Sequence, residues 1–331
     1  MSVRRSLIWL NLKLKQSNVM VIYPVIIPTL CRYEHLIKCV RSLSECSLAD
    51  QTELVIGLDY PLNEKQEPGY IKIKEFIKKI TGFKKVTIFT TTKNLGAESN
   101  LNRLIEYVYQ TYEAVIITED DNYFSPCFLE FMNTALNKFM DDFRIMSVCG
   151  YNAVMYEGVT DNSIILTHDN SAWGIGLWKG KNDPCDLSYY DEICHSFTKS
   201  YRLFKEYPAL LSMLIVMLKR KERYGDTMRT TCRILDDTYQ LRPALSMVRN
   251  LGQDGSGLHS GINPELLSQT ISNEKHFLID DAAIKKAFEE KAKTNKYLFR
   301  QGLSKSWPKA MCQLILWFWR GLLYNLLAKR I

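Results

Sequence analysis

Ala114-Val115-Ile116-Ile117-Thr118-Glu119-Asp120-Asp121 is the stretch on which the fold turns. A short, β-branched apolar run bounded by polar residues spells a buried strand. Its three acids then stand at the strand's C-terminal end, where open α/β sheets bind ligands. Carboxylates packed side by side repel one another. A bound cation relieves that repulsion, and hard oxygen ligands suit Mg2+ or Mn2+. Where only one or two carboxylates hold such an ion, substrate phosphates complete its shell. The stretch therefore suggests a metal–phosphate site. The plain structural alternative is a solvated acidic turn.

Working outward, the first half of the chain alternates strand and helix. Residues 21–28, 52–58, 86–90 and 114–118 carry strand patterns, and residues 33–44, 71–80 and 97–109 carry helical spacing. Alternation of this kind predicts an α/β fold with a doubly wound, mostly parallel sheet. Arg32, Asp59, Asn94 and the acidic triplet then collect at one edge of that sheet, from four separate loops. Each has an ordinary reading as a cap or turn residue; their shared edge is what marks a ligand crevice.

At 331 residues the chain is long enough for one large domain with an appendage. With 46% hydrophobic and 24% charged residues it is globular. Lys+Arg 43 against Asp+Glu 36 leaves a net charge of +7. So diffuse an excess fits an anionic ligand or membrane surface and gives no case for nucleic acid. Nine cysteines occur without C-x-x-C pairs or zinc spacing, which predicts reduced thiols in a cytosolic setting. The N-terminal residues, interrupted by Lys13 and Lys15, are not read as a secretory signal.

The second half is less regular. Residues 126–139 read as a helix, 144–150 as a strand, and 209–218 as an apolar helix followed by a basic run. Ser171-Ala172-Trp173-Gly174-Ile175-Gly176-Leu177-Trp178 reads as a Gly/aromatic loop. It suits either a sugar platform or a packed core turn. Residues 250–259 form a glycine-rich loop without the Lys-Ser/Thr ending of a P-loop. It is able to hold phosphate through backbone amides, with His259 as donor or metal ligand. Residues 307–331 spell a helix rich in Leu, Ile, Trp and Phe, with Gln313, Arg320 and Tyr324 on one narrow stripe and Lys305, Lys309, Lys329 and Arg330 flanking it. Its apolar runs are too short for a confident span, and Arg320 is costly in hydrocarbon. An interfacial helix on an anionic inner leaflet is the expectation, and a helix packed on protein is the alternative.

The order of these features resembles a GT-A type glycosyltransferase. It is similar to the N-acetylglucosaminyltransferases that start N-glycan branching and to bacterial family 2-like enzymes of surface-polysaccharide synthesis. The resemblance runs from about residue 21 to residue 261. Pro24-Val25-Ile26-Ile27-Pro28-Thr29-Leu30-Cys31-Arg32 resembles the first strand and nucleotide loop, with Cys31 where the family often has an acid. Asp59 matches the uracil-binding Asp, and Asn94-Leu95-Gly96 with Asn100 and Arg103 matches the segment before the metal-site strand. Glu119-Asp120-Asp121 matches the E-D-D form of the D-x-D motif. Trp173-Gly174-Ile175-Gly176-Leu177-Trp178 is similar to a bacterial W-G-W-A-T-W segment. Tyr224-Gly225-Asp226-Thr227-Met228-Arg229 is similar to W-D-D-W-M-R, with Gly225 replacing its first acid. Residues 243–246 and 255–261 resemble the closing P-x-I-S-R and G-x-S-H-G segments.

The resemblance implies a GT-A domain over residues 21–265, with a nucleotide-binding half at 21–125 and an acceptor-side half at 126–265. Residues 1–20 precede it, 266–306 form a helical connector, and 307–331 the amphipathic helix. It implies an inverting transfer from a nucleotide-sugar, with UDP as the expected nucleotide, to a hydroxyl of a glycan or lipid-linked glycan acceptor. Surface polysaccharide or lipopolysaccharide synthesis is the implied setting. Asp226 is the implied base. Arg32, Asp59, Asn94, Arg103, Glu119, Asp120, Trp173, Gly174 and Ser256 are implied donor contacts, and Asp121 and His259 implied ligands of Mn2+ or Mg2+. The expected location is cytoplasmic, peripheral on the inner face of the membrane. The competing readings are a sugar-1-phosphate nucleotidyltransferase, against which Pro28-Thr29-Leu30-Cys31-Arg32 lacks the needed glycines, and an inactive GT-A-like scaffold on the membrane, which Cys31 and Gly225 would favour.

Overall fold

The computed structural model describes residues 20–153, 163–181, 184, 186–256, 261–301, 303 and 306–331, with 292–301 described through their backbone only. The strands are β1 (Val25–Thr29), β2 (Glu53–Leu58), β3 (Lys85–Thr90), β4 (Ala114–Ile117), β5 (Asn122–Phe124), β6 (Ile145–Cys149), β7 (Ile164–Thr167), β8 (Ile175–Trp178), β9 (Tyr239–Pro243) and β10 (Val248–Asn250). The α-helices are α1 (Tyr33–Ser44), α2 (Glu67–Phe76), α3 (Ala97–Val108), α4 (Phe128–Lys138), α5 (Leu187–His195), α6 (Phe197–Glu206), α7 (Pro208–Arg220), α8 (Gly225–Asp236), α9 (Pro264–Leu267), α10 (Asp281–Gln301) and α11 (Trp307–Leu327).

Eight strands form one sheet in the order β3-β2-β1-β4-β8-β6-β9-β7, and β5 and β10 form a separate ribbon. The half from β3 to β4 is parallel, as the alternating pattern predicts. The other half is mixed. β8 runs antiparallel to both β4 and β6, β7 antiparallel to β9, and only β6 and β9 are parallel there. The sheet is thus mostly parallel, as expected, and its antiparallel pairings all involve β8 or β7.

β1 is buried on both faces, which is why it reads as an unbroken apolar run. Val25 and Ile27 join one core with Leu36, Val40 and Leu43 of α1 and Phe131 of α4. Ile26 points the other way, to Leu104 and Val108 of α3. The period of two in β1 and the spacing of Leu36, Val40 and Leu43 in α1 place helices on both faces.

The stretch 171–178 is the clearest departure from expectation: its second half is not a loop but strand β8 at the centre of the sheet. A Cβ on Gly176 would meet Leu136 and Met132 at 3.0 Å, so the glycine lets α4 press against the sheet. Gly174 has φ +69°, and a Cβ there would meet Phe128 and Val248 at 3.0 Å. The close approach these glycines permit is to the core. Trp178 anchors the same region by donating from Nε1 to the Leu136 carbonyl at 3.0 Å. Beside it the buried Lys181 donates to the carbonyls of Phe139, Asp142 and Ile145 at 2.8, 2.8 and 2.9 Å.

A second hydrophobic core joins α5, α7, α8 and α11 through residues such as Tyr190, Leu211, Leu214, Met228 and Tyr324. The expected acceptor-side half is therefore two things, the mixed half-sheet and a helical layer. The helical layer also recruits the C-terminal helix.

Candidate active site

The acids of the opening stretch leave β4 at the predicted edge. Asp120 and Asp121 are buried at 5% and 4% exposure, while Glu119 stays in contact with solvent. Arg32, carried on the turn between β1 and α1, bridges the pair. It donates through Nη1 to Asp121 Oδ2 at 2.6 Å and through Nη2 to Asp120 Oδ1. The remaining carboxylate oxygens are also engaged. Thr29 Oγ1 donates to Asp120 Oδ2 at 2.7 Å, and Asn250 Nδ2 donates to Asp121 Oδ1 at 2.8 Å. Burial raises the Asp120 pKa, with the Arg32 charge pulling against it.

Asn250 arrives through the β5/β10 ribbon, which pairs it with Asn122 next to the triplet. The glycine-rich loop that follows is folded against the acids. Leu251 N donates to the Asp121 carbonyl at 2.7 Å. A Cβ on Gly252 would lie 2.0 Å from Asp121 Oδ2 and 3.1 Å from Arg32 Nη1, so no other residue fits without displacing the loop. The loop is tied to α1 by His35 Nε2 and Asp254 Oδ2 at 3.0 Å, and Ser256 N closes a turn on Asp254 Oδ1 at 2.9 Å. His259 lies outside the described residues.

The chemistry of the acid pair suits a hard cation, but its geometry does not fit one as arranged. Each of the four carboxylate oxygens of Asp120 and Asp121 already accepts a hydrogen bond, and a guanidinium holds the place between the two carboxylates. Among the described residues no group of three or more His, Cys, Asp or Glu converges on a metal position. Asp121, the expected metal ligand, is here the partner of Arg32. Mn2+ or Mg2+ reaches Asp121 only by displacing that guanidinium.

Asp226 sits in the first turn of α8, at the helix end that favours a carboxylate. Asn170 Nδ2 donates to its Oδ1 at 2.5 Å. Asn170 is held in turn by Thr230 Oγ1 on its backbone N–H (3.0 Å) and by the buried Arg233 and Gln240 on its Oδ1 (2.5 and 3.1 Å). Arg242 extends the network from Gln240 to Asp169. Burial raises the Asp226 pKa, against the pull of the Asn170 hydrogen bond.

The structure brings Asp226 and the triplet together across some hundred residues of chain. Glu119 has its pKa pushed up to about 8, first by desolvation, then by the charges of Asp121 and Asp120, with Asp226 adding to them. Glu119 and Asp226 both keep solvent contact, yet enough protein surrounds their carboxyls for desolvation to lead.

Just past the end of β2, Asp59 is 4% exposed. Its carboxylate accepts from the N–H groups of Tyr60, Leu95 and Gly96 and from Thr91 Oγ1, at 2.9–3.2 Å. It is a clamp joining the loops after β2 and β3. Asn94 spans the same gap, donating to the Tyr60 carbonyl and accepting from Gly96 N. Arg103 Nε donates to Asn100 Oδ1 at 3.0 Å, and Asn100 donates to the Gly57 carbonyl. Trp173 is half-buried and packs edge-on against Tyr151 at 4.5 Å between ring centroids. Gly174 lies against Phe128 and Val248 of the core.

Sequence reasoning missed Thr29, Asn170, Arg233, Arg242, Asn250 and Gly252. A signal existed for Asn170. Ile164-Ile165-Leu166-Thr167-His168-Asp169-Asn170 is an apolar run ending in polar residues, the same grammar as the stretch around Asp120.

No protein-family model and no curated protein matches the sequence. Among solved structures, the chain is similar to the mannosyltransferase PcManGT from Pyrobaculum calidifontis, solved with GDP-Man and Mn2+. The two share 13% identity over 97% of this chain and 94% of that one, with a TM-score of 0.42. TarS from S. aureus is 16% identical over 52% of this chain, with a TM-score of 0.33, and the match spans 30% of the TarS chain. Its segment 1-349 in complex with UDP is 14% identical over 68% of this chain and 58% of that one, with a TM-score of 0.36. These likenesses are loose.

Proposed function

We propose that the protein is an inverting glycosyltransferase that moves a sugar from a nucleotide-sugar, with UDP as the favoured nucleotide, to a hydroxyl of a glycan acceptor. One observation supports this reading: Asp226, remote in sequence, lies close enough to the acidic triplet at the C-terminal edge of the parallel half-sheet for its charge to act on the Glu119 carboxyl. Open sheets of this kind bind ligands at that edge.

In this reading the nucleotide lies over the loops that Asp59 clamps, and the diphosphate lies toward Arg32. Asp226 accepts the proton of the acceptor hydroxyl as that oxygen attacks the anomeric carbon. The bond from that carbon to the diphosphate breaks on the opposite face, which inverts its configuration. A positioned base of this kind contributes about 10²–10⁴-fold. In this reading Arg32 turns from the acid pair to meet the charge that develops on the leaving diphosphate. Trp173 is the aromatic surface nearest in character to a sugar platform.

A second reading is favoured by one specific observation. Arg32 bridges the acid pair and offsets one of its two charges internally, as would suit a GT-A-like scaffold without activity. Turnover of a panel of UDP-sugars, measured with Mn2+ and with chelator, separates the two. The expected result is hydrolysis or transfer by the wild type, with Asp226→Asn slower by about 10²–10⁴-fold and donor binding kept. Equal rates in both would remove Asp226 as base. No turnover with any donor would favour the scaffold.

A further inference from the structure

The C-terminal helix α11 is built inside out. Three of its polar residues bond to the protein. Tyr324 donates to Asp191, Asn325 Nδ2 donates to the Cys194 carbonyl at 2.6 Å, and Arg320 Nη1 donates to Ser212 Oγ at 2.7 Å. Gly321 brings the helix tight onto α7, since a Cβ there would lie 2.4 Å from Leu211. The outward positions are Met311, Ile315, Leu316, Trp319, Leu323, Leu326 and Leu327, all exposed, with Leu316 and Leu326 at 68%. Phe197 and Tyr201 of α6 and Met213 of α7 continue this apolar surface. A helix lying against a globular body in water shows the opposite arrangement. Arg320, Tyr324 and Asn325 mark the side that docks on protein, and the apolar side is left over. Contiguous exposed apolar surface of this kind marks an interaction site.

We propose that this face of α11, with the adjoining residues of α6, docks on an anionic lipid bilayer and lies in its interface. Charge selects this occupant. α11 carries no acidic residue. Lys309 stands exposed near its start, Lys329 and Arg330 just past its end, and Lys205 at the groove between α6 and α11. Basic groups at the rim with Trp307 and Trp319 among the apolar residues match a headgroup layer over hydrocarbon. The helix lies flat: its 21 residues extend about 31 Å along the protein surface. Among the described residues, no helix is long and apolar enough to cross a membrane. The docking does not depend on the chemistry proposed for the active site, which acts on a soluble donor.

The test uses the full chain with vesicles of phosphatidylcholine, alone or with phosphatidylglycerol added. The expected result is co-flotation with the mixed vesicles, weakened by salt, and a blue shift of tryptophan fluorescence on binding. The triple change Leu316→Ser, Leu323→Ser and Leu327→Ser alters exposed positions only. It is expected to weaken binding by roughly tenfold or more while circular dichroism stays unchanged. Lys309→Glu with Lys329→Glu should weaken binding to the mixed vesicles and abolish its salt dependence. Binding to neither vesicle overturns the proposal. Equal binding by the triple variant also overturns it, as does a dimer in solution that the triple change converts to monomer, because a second copy would then be the occupant.

Discussion

The arrangement around Arg32 makes a quantitative prediction: this side chain and a divalent metal compete for the same two carboxylates. Arg32→Met keeps most of the aliphatic stem and removes the charge. Breaking a buried ion pair by removing one partner costs about 3–5 kcal/mol. The Arg32 side chain keeps 26% of its surface in water, which lowers the expectation to about 2–4 kcal/mol. The variant then holds two buried carboxylates with only Thr29 and Asn250 as partners, and a divalent ion becomes the natural replacement. At 100 times its Kd, Mn2+ should restore about 2.7 kcal/mol to the variant. Wild type should gain far less, because its metal position is filled. Urea unfolding of both proteins, with and without Mn2+, measures each term. Equal stabilisation of wild type and variant by Mn2+ would refute the competition. So would a variant as stable as wild type in metal-free buffer, since the ion pair would then contribute nothing to burying the acids.

Two further expectations follow from the same site. Asn170→Ala removes the donor that favours the ionised form of Asp226, so the Asp226 pKa, already raised by burial, should rise further. A base acts only when deprotonated, so the acidic limb of the pH–rate profile should move to higher pH. An unmoved limb would detach Asn170 from the base. Gly252→Ala places a methyl group against Asp121 Oδ2 and should cost about 1–3 kcal/mol by overpacking. Thermal unfolding reads the loss, and faster proteolysis in the loop after β10 should accompany it.

The residues that were legible in sequence share one property: their signal is local. The spacing of Leu36, Val40 and Leu43 placed α1 at its observed bounds, and the run before Glu119 placed β4 to within a residue. β8 was illegible because Gly174 and Gly176 resemble turn residues. Their actual role, admitting Phe128, Val248, Leu136 and Met132, depends on a helix some forty residues earlier in the chain. Asn250 and Gly252 were illegible as site residues for the same kind of reason. Only the β5/β10 pairing carries them onto Asp121.

By itself the sequence determined the parallel half-sheet and the edge at which Arg32, Asp59 and the acidic triplet meet, because period and turn chemistry act over a few residues. The tertiary structure alone decided which charge bridges the acid pair of that triplet. It also decided which side of the last helix faces outward. Both are questions of which groups meet across long separations in the chain. Periodicity gives a helix two faces, and only packing says which one the protein keeps.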